Sequence, residues 1–259
     1  MSTIAIQFVN YKTRSYLLRA LKSIAPEVSS LPHSCVVAIL DNNSGDDLSD
    51  IPRQFPQLPI RIFSSPRNRG FGDGHNDIAR HVPAHIRLLL NPDIEFIEER
   101  TITRLVERLY SDDRIAAVGP QLRTVQDTPQ AWDHGMLPST NRAAWFANRI
   151  GRSYYMPCER VCDVAWVSGA VFCVRDEALA SVGGFDPAFF LYKEEEDLCF
   201  RLRQAGWRII YDPQIHVRHI GSVVASKDDF MSDSQWYFAQ KHCSLPWRTV
   251  AWILNRIGK

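Results

Sequence analysis

Two carboxylate-bearing stretches carry the chemistry this sequence could do. The run Leu88-Leu89-Leu90-Asn91-Pro92-Asp93 is apolar and strand-like until three residues that cannot continue a strand, the last of them an acid. Proline removes a ladder donor and fixes the backbone, so a sheet must stop there. Residues just past the carboxyl ends of strands line the ligand crevice of an open α/β sheet, so Asp93 is either a holder of a metal or phosphate-bearing ligand or a plain turn residue. The second stretch, Glu194-Glu195-Glu196-Asp197, precedes Leu198 and Leu202, one helical turn apart, with Gly206 as a C-terminal stop. Acids in a first turn complement the helix dipole, and Asp197 can pair with Arg201 at i+4. Their crowding also raises carboxyl pKa values, which suits a general base.

These side chains need a frame. Strand-like runs at Ile4–Val9, Val36–Leu40, Ile60–Phe63 and Ile86–Leu90 recur every 24 to 32 residues, and Leu17, Leu21 and Ile24 fall on one helical face between the first two. That period predicts βαβ units and a parallel sheet. Three strands end in polar residues: Asn10-Tyr11, Asp41-Asn42-Asn43-Ser44-Gly45-Asp46 and Asn91-Pro92-Asp93. Three convergent polar ends on one sheet edge lead one to expect a nucleotide-sized site there.

Between the third and fourth strands lies Asn68-Arg69-Gly70-Phe71-Gly72-Asp73-Gly74-His75-Asn76, read as either a glycine-rich binding loop or a tight connection. It leads into a predicted helix over 76–82 whose N-terminus could face an anion. Glu98 to Tyr110 is amphipathic through Ile102, Leu105 and Leu109, and Ile115–Val118 is a strand ending at Gly119-Pro120. From Gln121 to Cys162 periodicity fails, and Trp132, Trp145, Tyr154 and Tyr155 give the insertion aromatic faces that can stack on sugar rings or pack the loop. Strands over Val164–Val167 and Ala170–Val174 flank Ser168-Gly169. Further strand character follows at Arg208–Tyr211 and on to His219-Ile220-Gly221. Residues 222–259 are expected to form a helical extension whose aromatics either close a core or, with the scattered Lys and Arg, rest on a membrane surface.

Composition is that of an ordinary globular protein, 45% hydrophobic and 23% charged. With 30 basic against 29 acidic residues the net charge is +1, so nucleic acid is not an expected partner. Met1-Ser2-Thr3 runs straight into Ile4-Ala5-Ile6 with neither a basic region nor a cleavage site, and a cytoplasmic location is expected. Six scattered cysteines are not a disulfide framework, and Cys158, Cys162 and His134 fit no strong zinc spacing.

Taken in order, these segments resemble the inverting family 2 glycosyltransferases, within them the rhamnosyltransferase-like branch. The resemblance rests on Val9-Asn10-Tyr11, Leu40-Asp41-Asn42-Asn43-Ser44, Asn68-Arg69-Gly70-Phe71-Gly72, Leu89-Leu90-Asn91-Pro92-Asp93, Ser168-Gly169-Ala170, Gly183-Gly184-Phe185-Asp186, the stretch from Phe190 to Leu198, and His219-Ile220-Gly221. It covers about residues 4 to 221. It implies the GT-A fold, a Rossmann-like and mostly parallel sheet flanked by helices, with a nucleotide-binding half over 1–119, an acceptor half over 120–221 and an appended 222–259. It implies a nucleotide-diphosphate sugar donor and a Mg or Mn ion. Nucleotide contacts would come from Asn10, Tyr11, Asp41, Asn43, Asn68, Arg69, Gly70, Phe71, Asn76 and Asn91. The metal would be held by Asp93 and His219, and the sugar and acceptor would meet Ser168, Gly169, Ala170 and Glu194. Glu195 stands at the family's usual general base, and Glu194 or Asp197 could share its role. Asn91 replaces the first acid of the family's Asp-x-Asp motif, and Glu195 replaces an Asp.

The expected function is transfer of a sugar, such as rhamnose, from a UDP or dTDP donor to a saccharide or lipid-linked acceptor in cell-surface polysaccharide assembly. The protein would sit in the cytoplasm, with room for peripheral contact at the inner membrane face through the C-terminal helix and for a homo-oligomer. The alternative is a catalytically silent sugar-nucleotide or glycan-binding module of the same fold, motivated by Asn91. A nucleotidyltransferase ranks last, because Asn10-Tyr11-Lys12-Thr13 has no glycine to wrap a phosphate.

Overall fold

The fold is organised by its buried strands, five of whose residues, Ile4 to Phe8, are completely shielded from water. Such full burial of consecutive residues means that both faces of the sheet are covered by helices. The computed structural model describes residues 2–221 and 227–257. In chain order the elements are β1 (Thr3–Asn10), α1 (Arg14–Val28), β2 (Ser34–Asp41), α2 (Ile51–Gln54), β3 (Ile60–Ser64), α3 (Gly70–His81), β4 (Ile86–Leu90), β5 (Ile94–Phe96), α4 (Thr101–Tyr110), β6 (Ile115–Arg123), β7 (His134–Gly135), α5 (Arg142–Arg149), β8 (Cys162–Asp163), β9 (Trp166–Val167), β10 (Val171–Arg175), α6 (Asp176–Ser181), α7 (Glu194–Gln204), β11 (Arg208–His219), α8 (Lys227–His242) and α9 (Leu245–Ile257).

The main sheet runs β3-β2-β1-β4-β10-β6-β11-β5, with β8 alongside β11. Its first half is parallel, as the βαβ period predicts. The other half is mixed: β10 enters antiparallel between β4 and β6, and β5 and β8 pair antiparallel with β11. The sheet is therefore less uniformly parallel than expected. That irregularity builds the site, because β10 carries the Ser168–Ala170 turn to Asn91, whose amide donates to the Ala170 carbonyl at 2.9 Å. Likewise β5 lays Ile94 opposite His219, beside Asp93.

Four local expectations change. The glycine-rich stretch is the opening of α3 itself rather than a loop before a helix at Asn76. Glycine is a poor helix former, but a Cβ at Gly72 would stand 2.8 Å from Phe185 and one at Gly74 2.9 Å from Val9, so close packing outweighs propensity. Helix α4 starts at Thr101, because Arg100 adopts a left-handed φ of 60° and Glu98 turns to Arg104 and His216. Strand β6 runs through Gly119-Pro120 to Arg123; Pro120 faces Asp212 at the edge of a bulge in β11, where a missing donor is tolerated. The insertion over 121–162 contains a helix after all, α5, capped by Asn141 accepting from the Ala144 amide at 2.8 Å.

Candidate active site

A cavity of about 1000 Å³ opens where the carboxyl ends of β1, β2 and β4 meet the start of α7. On the wall formed by the ends of β1 and β2 and the start of α3 stand Tyr11, Asn42, Asn68, Gly70 and Phe71. Asn42, nearly inaccessible, ties this wall together: its Nδ2 donates to Asn68 Oδ1 at 2.8 Å and to the Gly70 carbonyl at 3.1 Å, while its Oδ1 accepts from the Arg69 amide at 2.9 Å. The sequence reading left Asn42 out of the candidate contacts; its place between two expected contacts, Asp41 and Asn43, was the available signal.

Five of the expected nucleotide residues line this cavity: Tyr11, Asn68, Gly70, Phe71 and Asn91. The other five do not, and each has a structural occupation. Asn10 is buried, donating to Ser44 and Asp46 and accepting from Thr13. Asp41 accepts from the Ser44 amide and hydroxyl, closing the turn after β2. Asn43 is exposed at the corner of that turn, with φ 59°. Arg69 is drawn to Asp73 and Asp77 on α3. Asn76 clamps the Phe185 backbone, its Nδ2 donating to the carbonyl at 2.8 Å and its Oδ1 accepting from the amide at 3.0 Å. Nor are the first amides of α3 open to an anion. Gly70 N donates to Asn68 Oδ1 and Phe71 N to the Phe190 carbonyl.

At the centre are Asn91, Asp93 and His219. Asp93 is 7% exposed; its Oδ2 accepts from the Gly221 amide at 2.8 Å, and its Oδ1 lies 3.5 Å from His219 Nε2. Burial pushes its pKa up, but His219 and the Gly221 amide more than offset this, so the carboxyl lies below its ordinary range and stays charged. His219 Nδ1 lies 3.0 Å from Gln130 Oε1, an acceptor. With Nδ1 facing an acceptor, Nε2 points to Asp93 and to Asn91 Nδ2, the latter at 3.4 Å, as a donor to the carboxylate in the protonated ring and as a lone pair for an ion in the neutral one. One carboxylate, one imidazole and a carboxamide that can turn its oxygen inward fit an ion such as Mn or Mg, which also takes oxygens from water and phosphate. The described residues offer no group of three acid, His or Cys ligands, so protein donors alone would not fill a coordination sphere.

The opposite wall is the start of α7. Tyr192 and Lys193 are both left-handed, with φ 68° and 70°, so the chain turns sharply and the four acids of the first turn fan apart. Glu194, Glu195 and Glu196 line the cavity; Asp197 does not. Asp197, fully buried, meets Arg201, Lys241 and His242, each at 2.7 Å, and these contacts overcome burial to hold its pKa low. It is thus a structural anchor rather than a partner of Glu195. Glu196 is held by Lys193 Nζ at 2.9 Å and by the Ser153 hydroxyl.

Among the described residues no ion pair holds Glu194 or Glu195, although the Lys193 charge acts on Glu195, and each keeps a buried Oε2 without a hydrogen bond. Burial raises both pKa values, and the Glu195 charge adds to the rise at Glu194. Glu194 goes well above the ordinary carboxyl range, and Glu195, with the Glu196 charge also acting on it, rises to about 7. A carboxyl half ionised near neutrality on a cavity wall can accept a proton from a weakly acidic hydroxyl. The turn Ser168–Ala170 lies beneath this pair: a Cβ at Gly169 would stand 3.0 Å from the Phe71 ring and 3.9 Å from Glu195 Cβ.

The C-terminal helices complete the enclosure. Phe230, Met231 and Gln235 of α8 line the cavity, Ser234 donates to the Leu191 carbonyl at 2.8 Å, and Tyr237 to Asp186 at 3.1 Å. Sequence reasoning placed 222–259 outside the site, because nothing in a helical period says what the helix packs on; residues 222–226 of that extension lie outside the described residues.

Comparison with known proteins gives this geometry a setting. The family model described as glycosyltransferase like family 2 matches residues 3–241. The N-acetylglucosaminyl-diphospho-decaprenol L-rhamnosyltransferase of Mycobacterium tuberculosis (strain CDC 1551 / Oshkosh) is 29% identical over 237 residues, covering 82% of this chain and 74% of that protein. Among solved structures, GalNAc-T7 with UDP, GalNAc and Mn2+ superposes with a TM-score of 0.67 at 15% identity over 85% of this chain; the chain spans 44% of that protein. The mannosyltransferase PcManGT of Pyrobaculum calidifontis in complex with GDP-Man and Mn2+ superposes at 0.64, with 15% identity over 96% of this chain and 68% of that one. The fold is accordingly the GT-A fold of these glycosyltransferases.

Proposed function

This chain belongs to the glycosyltransferase like family 2, and on that premise we propose that it transfers a sugar, with inversion, from a UDP or dTDP donor to a saccharide or lipid-linked acceptor. The observation that carries the reading is the pair Glu194 and Glu195, each with a buried Oε2 that has no hydrogen-bond partner among the described residues, across one cavity from Asn91, Asp93 and His219. In this reading Glu195 takes the proton of an acceptor hydroxyl as that oxygen bonds to the anomeric carbon and the bond to the diphosphate breaks. The nucleoside diphosphate departs and Glu195 ends protonated. Glu194, held neutral by burial, can donate a hydrogen bond to the sugar. A divalent ion on Asp93 and His219 would offset charge on the leaving diphosphate. Tyr11, Asn42, Asn68 and Phe71 would hold the base and ribose. The catalytic unit extends through α8, which supplies part of the cavity wall.

Rhamnose as the sugar and a lipid diphosphate-linked acceptor are supported by the name of the mycobacterial relative. A surface feature supports the second. Helices α5 and α9 have no acidic residue, expose Trp145, Phe146, Leu245, Trp252 and Ile253, and carry Arg142, Arg149 and Arg248. That face would rest on anionic lipid at the cytoplasmic side of a membrane; no described helix is long and apolar enough to cross one. Co-sedimentation with phosphatidylglycerol vesicles that weakens with salt, and is absent with phosphatidylcholine alone, is the expected result. Equal binding to both would remove the electrostatic part of the reading.

The reaction itself is tested with a panel of nucleotide sugars with and without Mn, by thermal shift and by release of nucleoside diphosphate. One UDP or dTDP sugar should stabilise the protein and turn over slowly to water. Stabilisation without turnover against a broad acceptor panel would instead support a silent binding module, and no nucleotide response at all would sink both.

A further inference from the structure

Trp132 is a large aromatic residue placed where folding alone gives it little reason to be. It is 49% exposed, lines the cavity, and has a left-handed φ of 65°. That backbone region is uncommon for any residue but glycine or asparagine, and such outliers gather at binding sites.

Its footing is rigid. The next residue, Asp133, is 2% exposed; its Oδ2 accepts from the Tyr211 hydroxyl at 2.9 Å and from the Leu122 amide at 3.1 Å, and its Oδ1 lies 2.7 Å from His134 Nδ1. From there a row of rings leads outward: Tyr211 stacks on His134 at 3.9 Å, His134 lies 5.3 Å from Tyr155, and Tyr155 lies 5.5 Å from Trp132. The indole is the outermost ring of a series anchored in the core, held open to the cavity.

The place of that ring defines what would meet it. The Ser168 amide donates to the Asp133 carbonyl at 2.9 Å, and β7 pairs with β9, so Trp132 flanks the Ser168–Gly169 turn beneath Glu195. In the sheet, β4 and β10 separate β6, which leads to Trp132, from β1 and β2, whose ends carry Tyr11 and Asn42. The ring is thus away from the wall of Tyr11 and Asn42, on a loop that runs between the Ser168–Gly169 turn below Glu195 and His219, which Gln130 of the same loop meets at 3.0 Å.

We propose that Trp132 is the stacking platform of the acceptor subsite, taking a pyranose ring whose C–H face lies on the indole. This rests on the transferase reading above and adds the acceptor's class, a saccharide at its reactive end, and the residue that orients it. A pyranose offers one face of weakly positive C–H groups, which meets the negative face of an indole. Stacking fixes the plane of the sugar and leaves its hydroxyls at the ring edge, where one can reach Glu195.

The test is ligand-detected NMR titration of methyl β-glucopyranoside, methyl N-acetyl-β-glucosaminide and methyl α-rhamnopyranoside in the presence of saturating UDP or dTDP. Wild type, Trp132→Ala, Trp132→Phe and Trp132→Gly are compared. At least one glycoside should bind wild type; Ala and Gly should weaken it about tenfold and Phe by no more than about threefold, with nucleotide affinity unchanged. The glycine variant separates a binding role from a structural one. Relief of the left-handed backbone should keep its melting temperature within about 2 °C of wild type, whereas a ring needed for packing would lower it well beyond that. Equal glycoside affinity in Trp132→Ala, parallel loss of nucleotide affinity, or no glycoside binding to wild type that still binds nucleotide would each overturn the proposal. If wild type binds no nucleotide, the transferase reading falls and this one with it.

Discussion

Replacing Glu195 by Gln keeps the shape of the side chain and removes its charge and its basicity, so it should cost activity and raise stability together. The catalytic arm is simple. A positioned general base contributes about 10²- to 10⁴-fold, so turnover, followed as nucleoside diphosphate release, should fall by about a thousandfold while nucleotide affinity holds. In wild type kcat/KM should rise with pH and level off above about 7, where Glu195 becomes ionised. The residual rate of the variant should be flat through that range. The stability arm follows from the same buried group. A carboxyl raised in the fold from 4.5 to about 7 contributes stability that is fully present below its unfolded pKa and is lost as pH rises through the folded value. At pH 8 the wild type therefore carries up to about 3 kcal/mol of electrostatic cost that the amide does not have. This is a ceiling, since Glu194, relieved of its neighbour's charge, ionises more readily. Urea denaturation should show Glu195→Gln more stable than wild type at pH 8 and indistinguishable at pH 4, the gap opening between about 4.5 and 7. A variant that retains a tenth or more of wild-type turnover with the same pH profile, or is less stable at pH 8, would refute the assignment.

Two further substitutions probe the rest of the site. Asn91→Asp adds a second carboxylate beside Asp93 and His219 and should tighten Mn binding about tenfold in an electron paramagnetic resonance titration; an unchanged Kd would mean that residue 91 does not face the ion. Asp197→Asn strips the buried partner of Arg201, Lys241 and His242 and should cost about 2–4 kcal/mol in urea denaturation at pH 7. Because the folded fold holds this carboxyl below 3.8, that contribution is present above the unfolded pKa and is lost as wild type is acidified below it, so the two proteins should converge toward pH 2. The pH midpoint of catalysis should not move with this change, and a shift would return Asp197 to the reaction.

Much of this was legible in one dimension. The 24-to-32-residue period of apolar runs gave the βαβ units, since side-chain periodicity and burial are linked by local geometry. Turn chemistry marked where β1, β2 and β4 end, and the acids of 194–197 marked a helix start. Three glycines normally break a helix, so the opening of α3 is not legible in sequence; the approach of the Phe190 backbone, Phe185 and Val9 explains them. Five of the ten expected nucleotide contacts do not line the cavity, and Asn10 and Asn76 among them brace the structure around it. An amide has the same chemistry in a scaffold as in a site, and sequence cannot say which way it points.

The four acids of α7 make the division plain. Their type, number and place in the first turn follow from residue identity and the dipole of the helix they begin. Which of them stays charged does not. Glu196 pairs with Lys193 and accepts from Ser153, and Asp197 pairs with Arg201 on its own helix and with Lys241 and His242 of α8. Glu194 and Glu195 are buried with no ion pair among the described residues, and burial makes them weak acids. A pKa depends on distance and on exclusion of water, and both are properties of packed surfaces that meet only when the chain has folded.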